Sequence, residues 1–272
     1  PFKDANGRPL YEGSWDFIDP TVFVDDDGQA YLYWGNPNVY YAKLNADMVS
    51  LDGEVSKVEQ TIESFGSPGP DKREKGKKYK DIYTEGPWLH KRGGTYYLSY
   101  AAGGVPEHIA YSMSDTPTGP WKYMGEIMPL QDTGSFTNHC GVTDYKGNSY
   151  FFYHTGKLPG GGGFGRSVAV EQFSYNPDGT FPIINATTEG VSPVGTLTPY
   201  QRVEAETIAF SEGVKSEWNA KTGVYVSGIH DGDYIKVREV DFEDLSPKCL
   251  CVSVASALRG GWIEIRTDNI GG

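Results

Sequence analysis

The chain has 272 residues, enough for one large domain or two ordinary ones, and a formal charge of −12. That charge argues against a nucleic-acid partner, which needs a basic face. No run of about 18 apolar residues suggests a membrane span, so no membrane partner is expected either.

Aromatic residues make up 14% of the chain, with 19 Tyr and 6 Trp among 35 Gly and 17 Pro. Short aromatic segments cut by Gly, Pro and Asp turns predict an all-β protein. Three segments share one plan, a charged Gly-containing turn feeding an aromatic strand. They are Asp25–Trp34, Lys91–Tyr100 and Asp144–Tyr153, each followed by a further strand at Val39–Leu44, His108–Ser112 and Ser167–Tyr175. The aromatic starts Tyr31, Tyr96 and Tyr150 recur after 65 and 54 residues. Units of about four strands at that period predict propeller blades, and about three blades do not close a ring. The lysine-rich stretch from Ser67 to Lys80 reads as a solvated loop. Composition shifts again in the Thr/Pro/Gly-rich stretch from Asn185 to Tyr200. Strand signals resume at Tyr234–Val237, Leu250–Ser256 and Trp262–Arg266, the opening of a sandwich. The expected organisation is a partial propeller over residues 1–190, a linker over 191–200 and an incomplete β-sandwich over 201–272. Pro1 and Gly272 do not look like natural ends, so the chain is expected to be an internal piece of a longer, secreted protein. Cys140, Cys249 and Cys251 form neither a zinc pattern nor a disulfide framework.

Most carboxylates here sit in surface turns. Asp19, in Trp15-Asp16-Phe17-Ile18-Asp19-Pro20, and Glu85, in Tyr83-Thr84-Glu85-Gly86-Pro87-Trp88, instead sit among apolar and turn residues. Each precedes a repeat unit at the equivalent place, and equivalent places on blades converge on the central channel. Two carboxylates facing one cavity are what glycoside hydrolysis requires, and apolar surroundings raise a carboxyl pKa; capping or ion-pairing roles remain open. His139 is either a satisfied core histidine or a site residue. Trp88 and Trp34 are candidate sugar platforms as well as candidate core residues. Glu107, in a Gly-rich loop, is the rival for any acid role given to Glu85. The glycine run Gly160–Gly163 is not followed by a helix and reads as a mobile loop at the rim of the cleft, not a phosphate site.

Ile18-Asp19-Pro20-Thr21-Val22-Phe23-Val24-Asp25-Asp26-Asp27-Gly28, then Glu85-Gly86-Pro87-Trp88, then Phe136-Thr137-Asn138-His139, resembles glycoside hydrolase family 43, in its arabinoxylan arabinofuranohydrolase branch. Arg202-Val203-Glu204-Ala205-Glu206 and Gly232-Asp233-Tyr234-Ile235-Lys236-Val237 resemble family 6 carbohydrate-binding modules. The resemblance implies a five-bladed propeller followed by a jelly-roll sandwich, and an inverting enzyme that removes arabinofuranosyl side chains from arabinoxylan as a monomer. A β-xylosidase, an arabinanase or a non-catalytic glycan-binding propeller are the alternatives. It implies Glu85 as general acid, Asp19 as the carboxylate that tunes it, and Arg166, His139 and Trp88 as substrate contacts. Structural calcium is implied near the propeller axis, with His139 orienting or acting through water, and at Glu204 and Glu206 in the module. No Asp here stands in the motif of the family's catalytic base, so the chain alone is expected to be inactive.

Overall fold

The computed structural model describes residues 4–158, 160–188, 190–257 and 260–271. It divides into two compact units, Pro1–Ser192 and Pro193–Gly272.

The first unit is built of three antiparallel sheets. β1 (Thr21–Val24), β2 (Ala30–Trp34), β3 (Tyr40–Leu44) and β4 (Leu51–Lys57) form the first, in chain order. β5 (Tyr83–Arg92), β6 (Thr95–Ala102), β7 (His108–Ser114) and β8 (Lys122–Met128) form the second in the same order. β9 (Gly141–Tyr145), β10 (Asn148–Thr155) and β11 (Ser167–Phe173) form the third, which has three strands among the described residues where the repeat pattern suggested four. The tight Asp/Gly turns set the register: Gly28 takes φ 84° between β1 and β2, where the Asp25 amide donates to the Gln29 carbonyl.

The first strand of each sheet touches the first strand of the next, β1 against β5 and β5 against β9, so these three strands lie innermost, as in propeller blades. Aromatic side chains from the facing sheets fill the gaps. One cluster joins Tyr31, Tyr33, Phe65, Tyr83, Leu98, Tyr100 and Trp121 between the first two blades. Another joins Tyr97, Ile109, Tyr111, Ile127, Phe151, Tyr153 and Phe181 between the second and third. Two buried tyrosine hydroxyls find backbone partners: Tyr33 donates to the Pro117 carbonyl at 2.7 Å and Tyr83 to the Gly35 carbonyl at 2.8 Å.

The link between blades one and two contains a single helical turn, α1 (Ile62–Phe65), with Thr61 and Ser64 satisfying each other's backbone amides as a capping box and Gly66 closing it at φ 71°. It places Phe65 in the core. The lysine-rich loop that follows is exposed, with surface pairs Lys57–Asp71 and Lys72–Glu59.

The second unit contains two two-stranded ladders, β12 (Phe210–Glu212) with β15 (Tyr234–Lys236), and β13 (Lys215–Asn219) with β14 (Gly223–Ser227). Leu250–Ser256 and Trp262–Arg266, expected as strands, are not strands here. Alternating side chains favour a strand only where a neighbouring strand receives the backbone hydrogen bonds. Neither segment has a ladder partner among the described residues, and Trp262 is 98% exposed.

Leu98 is fully buried between the first two blades. Leu98→Ala is expected to destabilise the first unit by about 2–5 kcal/mol, the usual range for a buried leucine. Lys75→Ala, on the exposed loop, is expected to stay within about 0.5 kcal/mol. Denaturant midpoints at matched m-values check both.

Candidate active site

Antiparallel blades put the start of odd-numbered strands and the β2–β3 and β6–β7 turns at one end. The chain loads that end with polar groups: Asp19 just before β1, Asn36 between β2 and β3, Glu85 at the start of β5, Glu107 just before β7, His139 just before β9 and Arg166 just before β11. Three of them converge. Single donor atoms of Asp19, Glu85 and His139 all lie within 4.8 Å of one another.

His139 Nε2 and Glu85 Oε1 are 2.9 Å apart, and Asp19 Oδ2 lies 4.0 Å from the same nitrogen. Asn36 Nδ2 donates to the other Glu85 oxygen at 2.6 Å. Asp19 holds φ 58°, a left-handed conformation uncommon outside glycine, and its Oδ2 is buried with no hydrogen-bond partner. Gly86 makes the cluster possible. It sits at φ 61°, and a Cβ there would come within 2.9 Å of the His139 ring.

The electrostatics differ from the sequence expectation in one respect. Burial raises the Asp19 pKa, with the Glu85 charge reinforcing it against His139. Glu85 moves the other way: the His139 hydrogen bond, assisted by Asn36, outweighs burial and holds its carboxyl below the ordinary value. The apolar flanks that suggested a raised pKa for Glu85 do not reveal the two donors that other strands bring to it. Burial alone would lower His139, but the Glu85 hydrogen bond and the Asp19 charge raise it. His139 stacks on His154 at 5.0 Å between ring centroids, and the His139 amide donates to His154 Nδ1. His154 is driven down to about 4 by burial and by the His139 and Arg166 charges.

Arg166 donates to Thr137 Oγ1 at 3.3 Å, and its charge reaches Asp19 and Glu85. Trp88 lies elsewhere. It is half-buried and packs against the apolar cluster between blades two and three, with Nε1 buried and unpartnered. Trp34 is buried, among Tyr11, Phe17 and Tyr40. Glu107 is 4% exposed and cannot reach a substrate from where it sits. Asn36, Asn138 and His154 were not singled out from the sequence. Their signal is positional, since each lies at the strand end shared with Asp19 and Glu85.

Asp19, Glu85 and His139 alone would not complete a direct calcium shell, so an ion on the axis would meet His139 through water. Calcium takes six to eight oxygen ligands at about 2.3–2.6 Å. Both Glu85 oxygens are in hydrogen-bond contact, with Asn36 and with His139, His139 offers nitrogen, and Asp19 Oδ2 is buried without a partner. In the second unit Glu204 is tied to Arg202 at 2.8 Å, and neither it nor Glu206 belongs to a group of three metal-ligating residues among those described.

The Glu85–His139 contact has a definite pH signature. Glu85, with its pKa lowered on folding, contributes stability above its unfolded value and loses it as pH falls. His139, with its pKa raised, contributes below its unfolded value and loses it as pH rises through the folded one. The stability lost in Glu85→Gln is therefore expected to be greatest between about pH 4.5 and 6.5, the unperturbed values. Denaturation of both proteins across pH 3–9 measures it.

Residues 1–181 match Glycosyl hydrolases family 43, and residues 204–272 match Carbohydrate binding module (family 6). Over its full length the chain is 32% identical to an arabinoxylan arabinofuranohydrolase from Bacillus subtilis, spanning 57% of that protein. It is 32% identical over 99% of its length to one from Paenibacillus polymyxa, spanning 46% of it. The chain thus spans about half the length of the curated relatives it matches. A crystal structure of a Bacillus subtilis arabinoxylan arabinofuranohydrolase with cellotetraose superposes with a TM-score of 0.69 at 30% identity, covering 86% of this chain and 53% of that one. A β-xylosidase/α-arabinofuranosidase from a compost metagenome, with xylotriose in a calcium-free form, gives 0.52 at 29%, covering 62% and 58%. Sheets, site motifs and relatives agree: the chain is all-β, with three blades of a five-bladed propeller and a sandwich-like module, and it belongs to glycosyl hydrolase family 43.

Proposed function

We propose that these blades carry the acid half of an inverting glycosidase that removes α-L-arabinofuranosyl side chains from arabinoxylan outside the cell. The observation that carries this reading is the Asp19–Glu85 pair, two carboxylates within 4.8 Å at one end of the blades, one of them bonded to His139. The relatives named arabinoxylan arabinofuranohydrolase support the substrate, and the match to a carbohydrate-binding module supports a polysaccharide partner.

The roles follow the family resemblance, and spacing limits them. An inverting acid and base stand about 6.5–9.5 Å apart to leave room for water on the far face of the sugar. Asp19 and Glu85 are too close to be that acid and base. A pair this close suits a retaining pair by spacing alone, and it is the family resemblance that makes Glu85 the acid and Asp19 its modulator. The base is then a third carboxylate outside this pair, and since no Asp here stands in the motif the resemblance implies for it, the 272-residue chain is expected not to turn over substrate by itself. The lowered Glu85 pKa and raised His139 pKa favour a resting state in which the proton the acid needs is on His139, whose Nε2 lies 2.9 Å from Glu85. A sugar ring covering the site removes water, which disfavours the ion pair and drives that proton onto Glu85. Glu85 then gives it to the glycosidic oxygen as the bond to the anomeric carbon breaks. Asp19, ionised beside it, keeps the Glu85 proton in place until then.

In the intact enzyme, Glu85→Ala is expected to slow release of arabinose from arabinoxylan by about 10²–10⁴-fold. An activated aryl arabinofuranoside, whose leaving group needs no proton, should lose far less. Equal losses on both substrates would remove Glu85 from the acid role. Asp19→Asn withdraws a negative charge from beside the acid and is expected to move the alkaline limb of the kcat/KM profile to lower pH. A preference for aryl xylosides over arabinofuranosides in the unmodified enzyme would shift the assignment to a xylosidase.

A further inference from the structure

Glu107 is the most deeply buried carboxylate near the site, and the reaction as derived does not use it. Its backbone amide donates to the Phe136 carbonyl at 3.0 Å, and its Oε2 accepts from the Asn138 amide at 2.7 Å. One residue thus grips both ends of the turn Phe136-Thr137-Asn138, and the next residue is His139. The grip continues beyond the turn, for Asn138 Oδ1 accepts from the His154 amide at 3.1 Å, and His154 stacks on His139. Glu107 Oε1 is buried and has no partner.

We propose that Glu107 is a positioning residue: it clamps the Phe136–Asn138 turn so that His139 meets Glu85, and its own charge tunes that contact. The inference rests on the acid role proposed for Glu85. Burial pushes the Glu107 carboxyl up to about 7, with the Asn138 hydrogen bond opposing and the Glu85, His139 and Asp19 charges the ones that reach it. The neighbouring His108 is turned away, held by Asp81 at 2.7 Å. Below neutrality Glu107 is a neutral clamp. Above it, Glu107 adds a negative charge that keeps protons on His139 and Glu85, extending the acid's range toward alkaline pH.

The test uses two variants and two readouts. In the 272-residue chain, carboxyl and imidazole titrations are followed by NMR. Wild type is expected to show one glutamate titrating near 7, absent from Glu107→Gln, and His139 is expected to titrate lower in that variant by a few tenths to about one unit. In the intact enzyme, Glu107→Gln is expected to keep kcat within about twofold of wild type below pH 6, where wild-type Glu107 is also neutral, and to move the alkaline limb to lower pH. Glu107→Ala, which releases Asn138, is expected to lower kcat about tenfold or more on substrates needing a proton, with KM little changed, and Glu107→Gln should restore it. The proposal is overturned if Glu107→Gln leaves both the His139 titration and the alkaline limb in place. It is overturned equally if added calcium shifts the Glu107 carboxyl signal, which would make that group a cation ligand. Loss of the acid role of Glu85 with the His139 coupling intact would sink the hydrolytic reading alone.

Discussion

The hydrogen bond between Glu85 and His139 is the contact on which the site depends. It joins the second blade to the third at their innermost strands, and it exists because Gly86 carries no side chain where the imidazole lies. A carboxylate and an imidazole at 2.9 Å, half-buried, lower one pKa and raise the other. If Glu85 is the acid, as proposed, that single contact keeps a proton close to the group that would deliver it. The neighbours follow from it. Asn36 occupies the carboxylate oxygen His139 leaves free, Asp19 adds charge within reach of both, and burial, with the His139 and Arg166 charges, holds the His154 pKa down.

The blades supply the rigidity such a contact needs. Aromatic side chains interlock within and between the sheets at ring separations of 4.8–6.5 Å, in tilted and edge-on pairs such as Tyr83 with Tyr100 inside the second sheet and Phe23 with Tyr96 between the first and second. Tyrosine is frequent because a gap between blades is apolar in its middle and lined by carbonyls at its ends, where hydroxyls of Tyr33 and Tyr83 find partners.

Much of this was legible in the sequence. Each repeat marked a blade because a turn rich in Asp and Gly and an aromatic strand are both local features, and Asp19 and Glu85 stood out because apolar residues flank them. What could not be read was set by distant residues. The lowered pKa of Glu85 depends on Asn36 and His139, 49 and 54 residues away. The fate of Trp88 depends on which side of β5 faces the third blade. Leu250–Ser256 and Trp262–Arg266 carry a strand pattern without a strand beside them, and pattern alone does not supply one.

The turns that mark the repeats do a second job at the opposite end of the blades. Lys91, beside the β5–β6 turn, reaches Asp25 at 2.7 Å and Asp26 at 2.8 Å in the β1–β2 turn, and the Tyr96 hydroxyl donates to Asp25 Oδ2 at 2.5 Å. The first two blades are buttoned together at one rim, while the other rim carries the loops of the site. A lineage could therefore rewrite those loops for a new sugar linkage without loosening the ring, but could not graft a blade from another propeller unless its turn brought the matching button.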